Sequence, residues 1–218
     1  MNYQQAVENL RPQYDSNAEQ RDMGNKSAWK ISERAHFLHY LQRFPTTNEP
    51  LRLLEVGAGT GQDAVFFRDQ GIQVVCSDVS PVMVARCREK GLTAYTADFL
   101  SLPFEPASFE AIYALNCLLH VPKADLPRVL QALRALLVPR GLFYLGVYGG
   151  ENREGLFGTG DEGEEAGRFF SYYTADSLIA AVTPFFELLY FRAIDLELNP
   201  ATQALGRACF QSLILQVR

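Results

Sequence analysis

Short apolar runs alternate with amphipathic stretches over the middle of this chain, between about residues 50 and 148. Short apolar runs are typical of buried strands, and apolar side chains three and four positions apart are typical of helices. Their alternation predicts a parallel sheet with helices on both faces. The predicted strands span residues 52–57, 73–78, 93–97, 110–116 and 142–148, and the predicted helices lie near residues 62–70, 81–90 and 123–137.

The two ends of the chain depart from this alternation. Residues 1–26 are polar, and an apolar stripe over residues 27–43 predicts one helix with Trp29 in its first turn. Glycine and acidic residues over 149–168 predict a mobile loop. A helix over residues 174–182 and two strands over 186–197 and 208–217 complete the prediction, and residues 201–206 between these strands are few enough for an antiparallel hairpin.

A glycine-rich turn follows the first predicted strand. Gly57, Gly59 and Gly61 stand at every second position, directly before a predicted helix. Glycine lets the backbone approach a ligand closely because no Cβ intervenes, and the free N–H groups at a helix start favour an acidic group on that ligand. A dinucleotide fingerprint has its third glycine one position later, where this chain has Gln62. The turn therefore predicts a cofactor site and argues against NAD(P).

Two acidic residues stand at the ends of the next two predicted strands. Asp78 follows Gly57 by roughly 20 residues, the separation at which an acid binds both hydroxyls of a ribose. Asp98 ends the third strand, directly before Phe99. Either acid alone is more simply explained as a turn former or a helix cap. Together with Glu55 and the glycines, they favour a cofactor that carries a ribose.

This order of glycines and acids resembles the motifs of the class I S-adenosylmethionine (AdoMet) methyltransferases. The resemblance covers roughly residues 50–217, and the segments 115–122 and 149–155 resemble a bacterial subgroup of small-molecule methyltransferases. It implies a Rossmann-like, doubly wound α/β fold with a seven-stranded sheet, mostly parallel with the last strand antiparallel. It further implies a single domain over residues 1–218, in which residues 1–45 form a helical lid on a 50–217 core.

The resemblance implies AdoMet as cofactor, with S-adenosylhomocysteine as product, and gives each motif position a role. Asp78 holds the ribose, Asp98 accepts from the adenine amino group, and Glu55 supports the glycine loop. The AdoMet sulfonium already activates its methyl group, so no metal is expected, and His36 and His39 lack a third ligand. The predicted cofactor-binding residues are Trp29, Glu55, Gly57, Ala58, Gly59, Gly61, Asp78, Val79, Asp98, Phe99 and Asn116.

Three residues are candidates for contact with the methyl acceptor. His120 follows the fourth strand, beside the expected methyl position, and is either a base or substrate contact or a loop histidine bonded to a backbone carbonyl. Tyr148 ends the fifth strand and Arg153 follows it, so that they either orient a polar substrate or hold the loop in place. The predicted catalytic residues are therefore His120, Tyr148 and Arg153.

Two other functions use the same residues. An AdoMet-binding protein without turnover needs the same cofactor site, and the sequence does not separate it from an enzyme. An NAD(P)-dependent oxidoreductase is disfavoured by Gln62 and by the absence of any Tyr-x-x-x-Lys pair in the sequence.

The amino-acid composition limits the classes of binding partner and the compartment that we expect. The 218 residues suit one domain, and the net charge of −5 without a basic cluster argues against nucleic acid, so a small polar molecule is expected. The four cysteines form no Cys-x-x-Cys pair, which suits a reducing cytosol. The sequence begins without an apolar leader and holds no run of 18 apolar residues, so we expect a cytoplasmic protein without a membrane span. The oligomeric state stays open.

Overall fold

The computed structural model describes residues 1–24, 26–43, 50–157, 167–196 and 209–218. Within these ranges nine strands and seven α-helices are formed. The strands are β1 (Arg52–Val56), β2 (Gln73–Asp78), β3 (Thr93–Thr96), β4 (Phe109–Leu115), β5 (Leu137–Gly149), β6 (Arg153–Phe157), β7 (Arg168–Tyr172), β8 (Glu187–Asp195) and β9 (Cys209–Gln216). The helices are α1 (Tyr3–Ser16), α2 (Ala18–Met23), α3 (Ala28–Arg43), α4 (Gln62–Asp69), α5 (Pro81–Glu89), α6 (Leu126–Leu136) and α7 (Ala175–Val182).

Seven of these strands form one sheet in the order β3-β2-β1-β4-β5-β9-β8. Strands β1 to β5 pair in parallel, and β9 lies antiparallel between β5 and β8. This confirms the predicted seven-stranded, mostly parallel sheet with an antiparallel last strand. The strand order reverses between β1 and β4, and in such sheets ligands bind where the order reverses, at the carboxyl ends of the strands.

Helices cover both faces of the sheet because successive strand residues point to opposite sides. Leu53 packs with Phe37 of α3 and Phe67 of α4 on one face. Leu54, the next residue, packs with Leu130 of α6 on the other face, where α7 and α1 also contribute buried side chains. The predicted start of α5 is confirmed, since the Ser80 side chain accepts from the Met83 N–H as the N-cap.

The N-terminal segment is more regular than its polar composition predicts. The apolar pattern gave no individual helix before residue 27, although residues 1–45 were expected to form a helical lid, and α1 and α2 fill most of this stretch. Asn2 and Gln5 form a reciprocal capping box that begins α1. Tyr3, Val7 and Leu10 form a buried stripe on its inner face. The stripe is narrow, because polar residues occupy most of the other positions of this helix.

The segment after β5 also differs from the prediction. We predicted a mobile loop over residues 149–168, but β6 and β7 pair antiparallel as a separate two-stranded sheet, with Arg153 opposite Tyr172. Phe169, Phe170 and Tyr172 of β7 are buried. Their burial in the folded chain outweighs the glycine-rich composition of the segment before them. Residues 158–166 and the predicted hairpin turn at 201–206 lie outside the described residues. Among the described helices, none has the length and apolarity to cross a bilayer.

Candidate active site

A cavity of about 530 Å³ opens where the strand order reverses. Its floor is formed by residues at the carboxyl ends of β1, β2 and β4, and its cover by side chains from α1 and α2 and from the segment that leads into α3. The predicted site residues that line it are Glu55, Gly57, Ala58, Gly59, Asp78, Val79, Phe99, Asn116 and His120. The structure thus brings the motif positions of three strands together in one site.

The three glycines of the loop after β1 serve different purposes. All three have a left-handed backbone, with φ of +62°, +55° and +77° for Gly57, Gly59 and Gly61. A Cβ at Gly57 would lie 2.3 Å from the Cβ of Cys117, whereas a Cβ at Gly59 would meet no atom within 4 Å. Gly59 therefore leaves open space for a ligand. Gly61 does not line the cavity, and its missing side chain leaves room for Leu92 instead.

Asp78 connects the glycine loop to the end of β2. Its carboxylate accepts the Gly59 N–H at 2.8 Å and the Ser80 N–H at 2.9 Å. Burial raises the pKa of this carboxyl, and the two N–H donors oppose that rise. An ionised carboxylate has about four acceptor sites, so two remain for a ligand after these bonds.

Two buried oxygen atoms in the cavity wall lack a hydrogen-bond partner among the described residues, namely Oε2 of Glu55 and Oδ1 of Asn116. Buried polar atoms are nearly always paired, so such atoms in a cavity wall suit a ligand that brings donors. Asn116 also has a left-handed backbone, with φ of +55°, which is uncommon for a residue other than glycine. Burial raises the pKa of Glu55 well above its usual range, and nearby Asp63 adds to this while Lys26 opposes it.

An ion-pair cluster borders this part of the cavity. Lys26 and Arg34 both contact the buried carboxylate of Asp63, the latter at 2.8 Å. Lys26 and Asp63 line the cavity. Neither Lys26 nor Asp63 was predicted to be a site residue.

The part of the cavity where we expected Asp98 to bind adenine differs from the prediction. Asp98 does not line the cavity, because its carboxylate accepts from the hydroxyl of Tyr3 at 3.0 Å and from Leu100 N and Ser101 Oγ. The Tyr3 hydroxyl in turn accepts the Phe99 N–H at 2.9 Å. Tyr3, Ala97 and Phe99 form the cavity wall here. Burial, together with Asp98, raises the pKa of Tyr3, so its hydroxyl remains a donor.

His120 lies in a 3-10 turn after β4 and is only 6% exposed. Its Nδ1 lies 2.8 Å from the carbonyl oxygen of Phe169, and its Nε2 lies 2.7 Å from the hydroxyl of Tyr14. His120 is therefore bonded to a backbone carbonyl and also lines the cavity, while its role as a base or substrate contact stays a prediction.

The structure does not bring Trp29, Tyr148 or Arg153 into the cavity wall. The Trp29 ring packs 4.4 Å from Phe210 and 6.3 Å from Tyr148, measured between ring centroids. Arg153 lies over the ring of Phe157, at 4.4 Å from its centroid, and 3.5 Å from a carboxylate oxygen of Glu151. Lys30, which lines the cavity, lies 5.2 Å from the ring centroids of both Trp29 and Tyr148.

Sequence reasoning predicted an N-terminal lid but named none of the residues of α1 as site residues. Tyr3, Val7, Leu10 and Tyr14 line the cavity, at spacings of four, three and four residues. This spacing is the helical signal that would have identified them. Arg11 donates to the Val79 carbonyl at 3.1 Å and thereby holds α1 across the cavity.

Known proteins resemble this chain in sequence over its central part and in fold. A family model described as a methyltransferase domain matches residues 53–141, which include the glycine loop, Asp78 and His120. The non-reducing polyketide synthase esdpA of Penicillium shearii is 33% identical over 124 residues, or 50% of this chain and 6% of that protein. The sterol 24-C-methyltransferase of Clavispora lusitaniae is 32% identical over 119 residues, or 50% of this chain and 31% of that protein. The chain therefore matches less than a third of the length of these relatives.

A solved structure extends the likeness to the whole fold. The 1,6-didemethyltoxoflavin-N1-methyltransferase of Burkholderia thailandensis was crystallised with 1,6-didemethyltoxoflavin and S-adenosylhomocysteine. It superposes with a TM-score of 0.75 at 19% identity, covering 100% of this chain and 91% of its own. At this identity the likeness concerns the fold alone.

Proposed function

We propose that this chain, which belongs to the class I AdoMet-dependent methyltransferases, binds AdoMet in the cavity and transfers its methyl group to a small molecule. The observation that carries the proposal is that one cavity has the glycine loop and Asp78 on one wall and His120 with Tyr14 on another. A cofactor site and a pair of groups able to contact a methyl acceptor would thus share one cavity.

The residues of the cavity fit AdoMet. The unpaired oxygens of Glu55 and Asn116 suit the ammonium of its methionine part. Asp78 has acceptor sites left for the ribose hydroxyls, and Gly59 leaves room for close approach of the ligand. Val79 and Phe99 would line the adenine pocket. When bound, AdoMet supplies a methyl group that its positive sulfur already activates.

The protein then has to hold the attacking atom of the acceptor in line with the carbon–sulfur bond that breaks, and to exclude water. Positioning of two reactants can lower a barrier by about 7–11 kcal/mol, so this alone is a substantial contribution. Helices α1 and α2 cover the cavity, and we infer that residues 1–45 act as its lid. Trp29, Tyr148 and Arg153 lie outside the cavity wall, and their contact with an acceptor stays a prediction. Contact of Asp98 with adenine stays a prediction, because this residue lies outside the cavity wall and its carboxylate accepts from Tyr3.

The acceptor in this proposal is small and polar. Gln20, Arg21 and Lys30 bring polar and charged groups to the cavity wall. The Burkholderia structure holds a small heterocycle, which supports an acceptor of that size. The four cysteines are free thiols, and this supports a reducing cytosol as the compartment.

Calorimetry with AdoMet, S-adenosylhomocysteine and NAD tests the cofactor. We expect the first two to bind and NAD not to bind. Asp78→Ala should weaken AdoMet binding by about 1–3 kcal/mol, since it removes acceptors from a buried site. Asp69→Ala, which removes an exposed carboxylate outside the cavity, is the matched control. Binding of NAD alone would contradict the proposal. A metabolite panel with S-adenosylhomocysteine release as the readout then separates an enzyme from a protein that binds AdoMet without turnover.

A further inference from the structure

We propose that Tyr14 and His120 form a proton relay that takes a proton from the methyl acceptor during transfer. The inference rests on the proposed function, and it narrows the acceptor to a molecule whose attacking atom carries a dissociable proton. Hydroxyl groups, ring N–H groups and acidic C–H groups meet this requirement. Thioethers and tertiary amines do not.

The hydrogen bonds of His120 define where its proton lies. A carbonyl oxygen only accepts, so the 2.8 Å contact with Phe169 O requires that Nδ1 carries a proton. In the neutral ring Nε2 is then the acceptor, and the Tyr14 hydroxyl donates to it at 2.7 Å. The resting arrangement is a phenol O–H directed at an imidazole lone pair.

The surroundings hold the imidazole in this orientation. The Phe169 carbonyl belongs to β7, whose pairing with β6 places Phe169 opposite Leu156. The ring of Phe170 lies 4.8 Å from the imidazole, between centroids. The carbonyl also stabilises a second proton on the ring, because Nδ1–H donates to it in both the neutral and the charged form. The site is thus prepared for an imidazolium.

The oxygen of Tyr14 connects the imidazole to the cavity. Its single proton points to His120, so its lone pairs can accept from a donor in the cavity, which Tyr14 lines. Burial raises the pKa of this phenol, the charges of Arg21 and Arg168 oppose the rise, and the carboxylate of Asp78 adds to it. The neutral phenol is therefore the resting form at neutral pH, and Tyr14 passes a proton on rather than acting as a phenolate.

The protons and charges balance in one step. The acceptor atom forms its bond to the methyl carbon as the carbon–sulfur bond breaks, and the electron pair of that bond stays on sulfur. The proton of the acceptor moves to the Tyr14 oxygen while the Tyr14 proton moves to Nε2 of His120. The positive charge lost from sulfur reappears on the imidazolium, which afterwards releases its proton to solvent.

Nitrogen NMR of histidine-labelled protein saturated with S-adenosylhomocysteine tests the pair without turnover. We expect His120 to be the Nδ1–H form at neutral pH, and Tyr14→Phe to shift its Nε2 resonance while those of His36 and His39 stay in place. His120→Gln assigns the signals, and Tyr95→Phe, at an exposed tyrosine, is the matched control. An Nε2–H form, or resonances insensitive to Tyr14→Phe, would overturn the relay.

Turnover of a chosen panel tests the acceptor class. The panel pairs phenols and N–H heterocycles with thioethers and tertiary amines, at saturating AdoMet and across pH 5 to 9. We expect methylation only in the first group. Proton transfer by a positioned group contributes about 10²- to 10⁴-fold, so Tyr14→Phe and His120→Gln should lower kcat by that factor and remove its rise with pH. His39→Gln, at an exposed histidine, should behave as wild type.

The outcomes separate the two proposals. Efficient methylation of a thioether or tertiary amine, or wild-type kcat in Tyr14→Phe, would refute the relay and leave the methyltransferase function standing. Failure of the wild-type protein to bind AdoMet would refute the proposed function itself.

Discussion

At the scale of single residues, the glycine loop shows that a motif position can be required for more than one reason. Position 57 requires glycine for steric reasons, because Cys117 occupies the space that a side chain at this position would need. Gly59 has no neighbour there, so only its left-handed backbone and a ligand restrict it. The two requirements can be separated by substitution.

We predict that Gly59→Ala binds AdoMet at least tenfold more weakly while losing only about 1–2 kcal/mol of stability, the usual penalty for alanine in a left-handed conformation. Gly71→Ala is the matched control, since Gly71 also has a positive φ and open space around it but lies outside the cavity. Urea unfolding and calorimetry measure the two effects. Equal AdoMet affinity of both variants would show that Gly59 does not face the cofactor.

At the scale of elements, the short helix α2 is attached to the core by polar contacts. Gln62, which stands where a dinucleotide fingerprint has glycine, donates from its side-chain amide to the Asp22 carbonyl at 3.0 Å. Lys90 forms an ion pair with Asp22 and donates to the Thr60 carbonyl at 2.6 Å. The residue that argued against NAD(P) thus also holds the cover of the cavity in place.

Acid should loosen this attachment. The hydrogen bond from Lys90 lowers the pKa of Asp22 below its usual range. A carboxyl whose pKa is lower in the folded state stabilises fully above its unfolded pKa of about 3.9, and this contribution is lost as the pH falls through the folded value. We predict that Asp22→Asn lowers stability by about 1 kcal/mol or less at pH 7, and that the difference from wild type vanishes near pH 2.

Urea unfolding from pH 2 to 7, with limited proteolysis of the N-terminal segment, checks this prediction. Asp69→Asn is the control, because its partner Arg68 lies on the same helix and does not reach α2. A difference between wild type and Asp22→Asn that does not change with pH would mean that the charge of Asp22 contributes nothing.

At the scale of the whole molecule, net charge and the cover of the cavity bear on the class of acceptor that we expect. The net charge is −5, and like charges repel a phosphate backbone. The cavity is covered by α1 and α2 and leaves space for molecules of modest size. Both features favour a metabolite over a macromolecule.

We therefore predict that RNA and DNA do not bind even at low salt, where electrostatic attraction would be greatest. Fluorescence anisotropy with labelled RNA and DNA oligonucleotides at 20 and 200 mM salt measures this, with AdoMet binding in the same samples as the control for folded protein. Stoichiometric methylation of nucleic acid, unaffected by His120→Gln or Tyr14→Phe, would show that both the substrate class and the acceptor site are wrong.

The sequence by itself determined those parts of the protein that depend on local order. Apolar periodicity predicted the seven strands of the large sheet and helices α3 to α7, because burial of a strand or a helix face leaves a period in the chain. The parallel sheet then brought the strand ends together, and with them Glu55, Asp78 and Asn116. Their meeting in one cavity follows from motif order and fold class alone.

Only the tertiary structure decided what covers that cavity and what stands beside it. The bond between Tyr14 and His120 joins residues 106 positions apart, and that between Tyr3 and Asp98 joins residues 95 apart. Arg153 lies away from the cavity because β6 pairs with β7, and Trp29 packs on Phe210 of the last strand. Such contacts leave no periodic pattern in the sequence, since each depends on how elements far apart in the chain pack. The side of the cavity that we assign to the cofactor could therefore be predicted from the sequence, while the side that we assign to the acceptor could be recognised only in the folded chain.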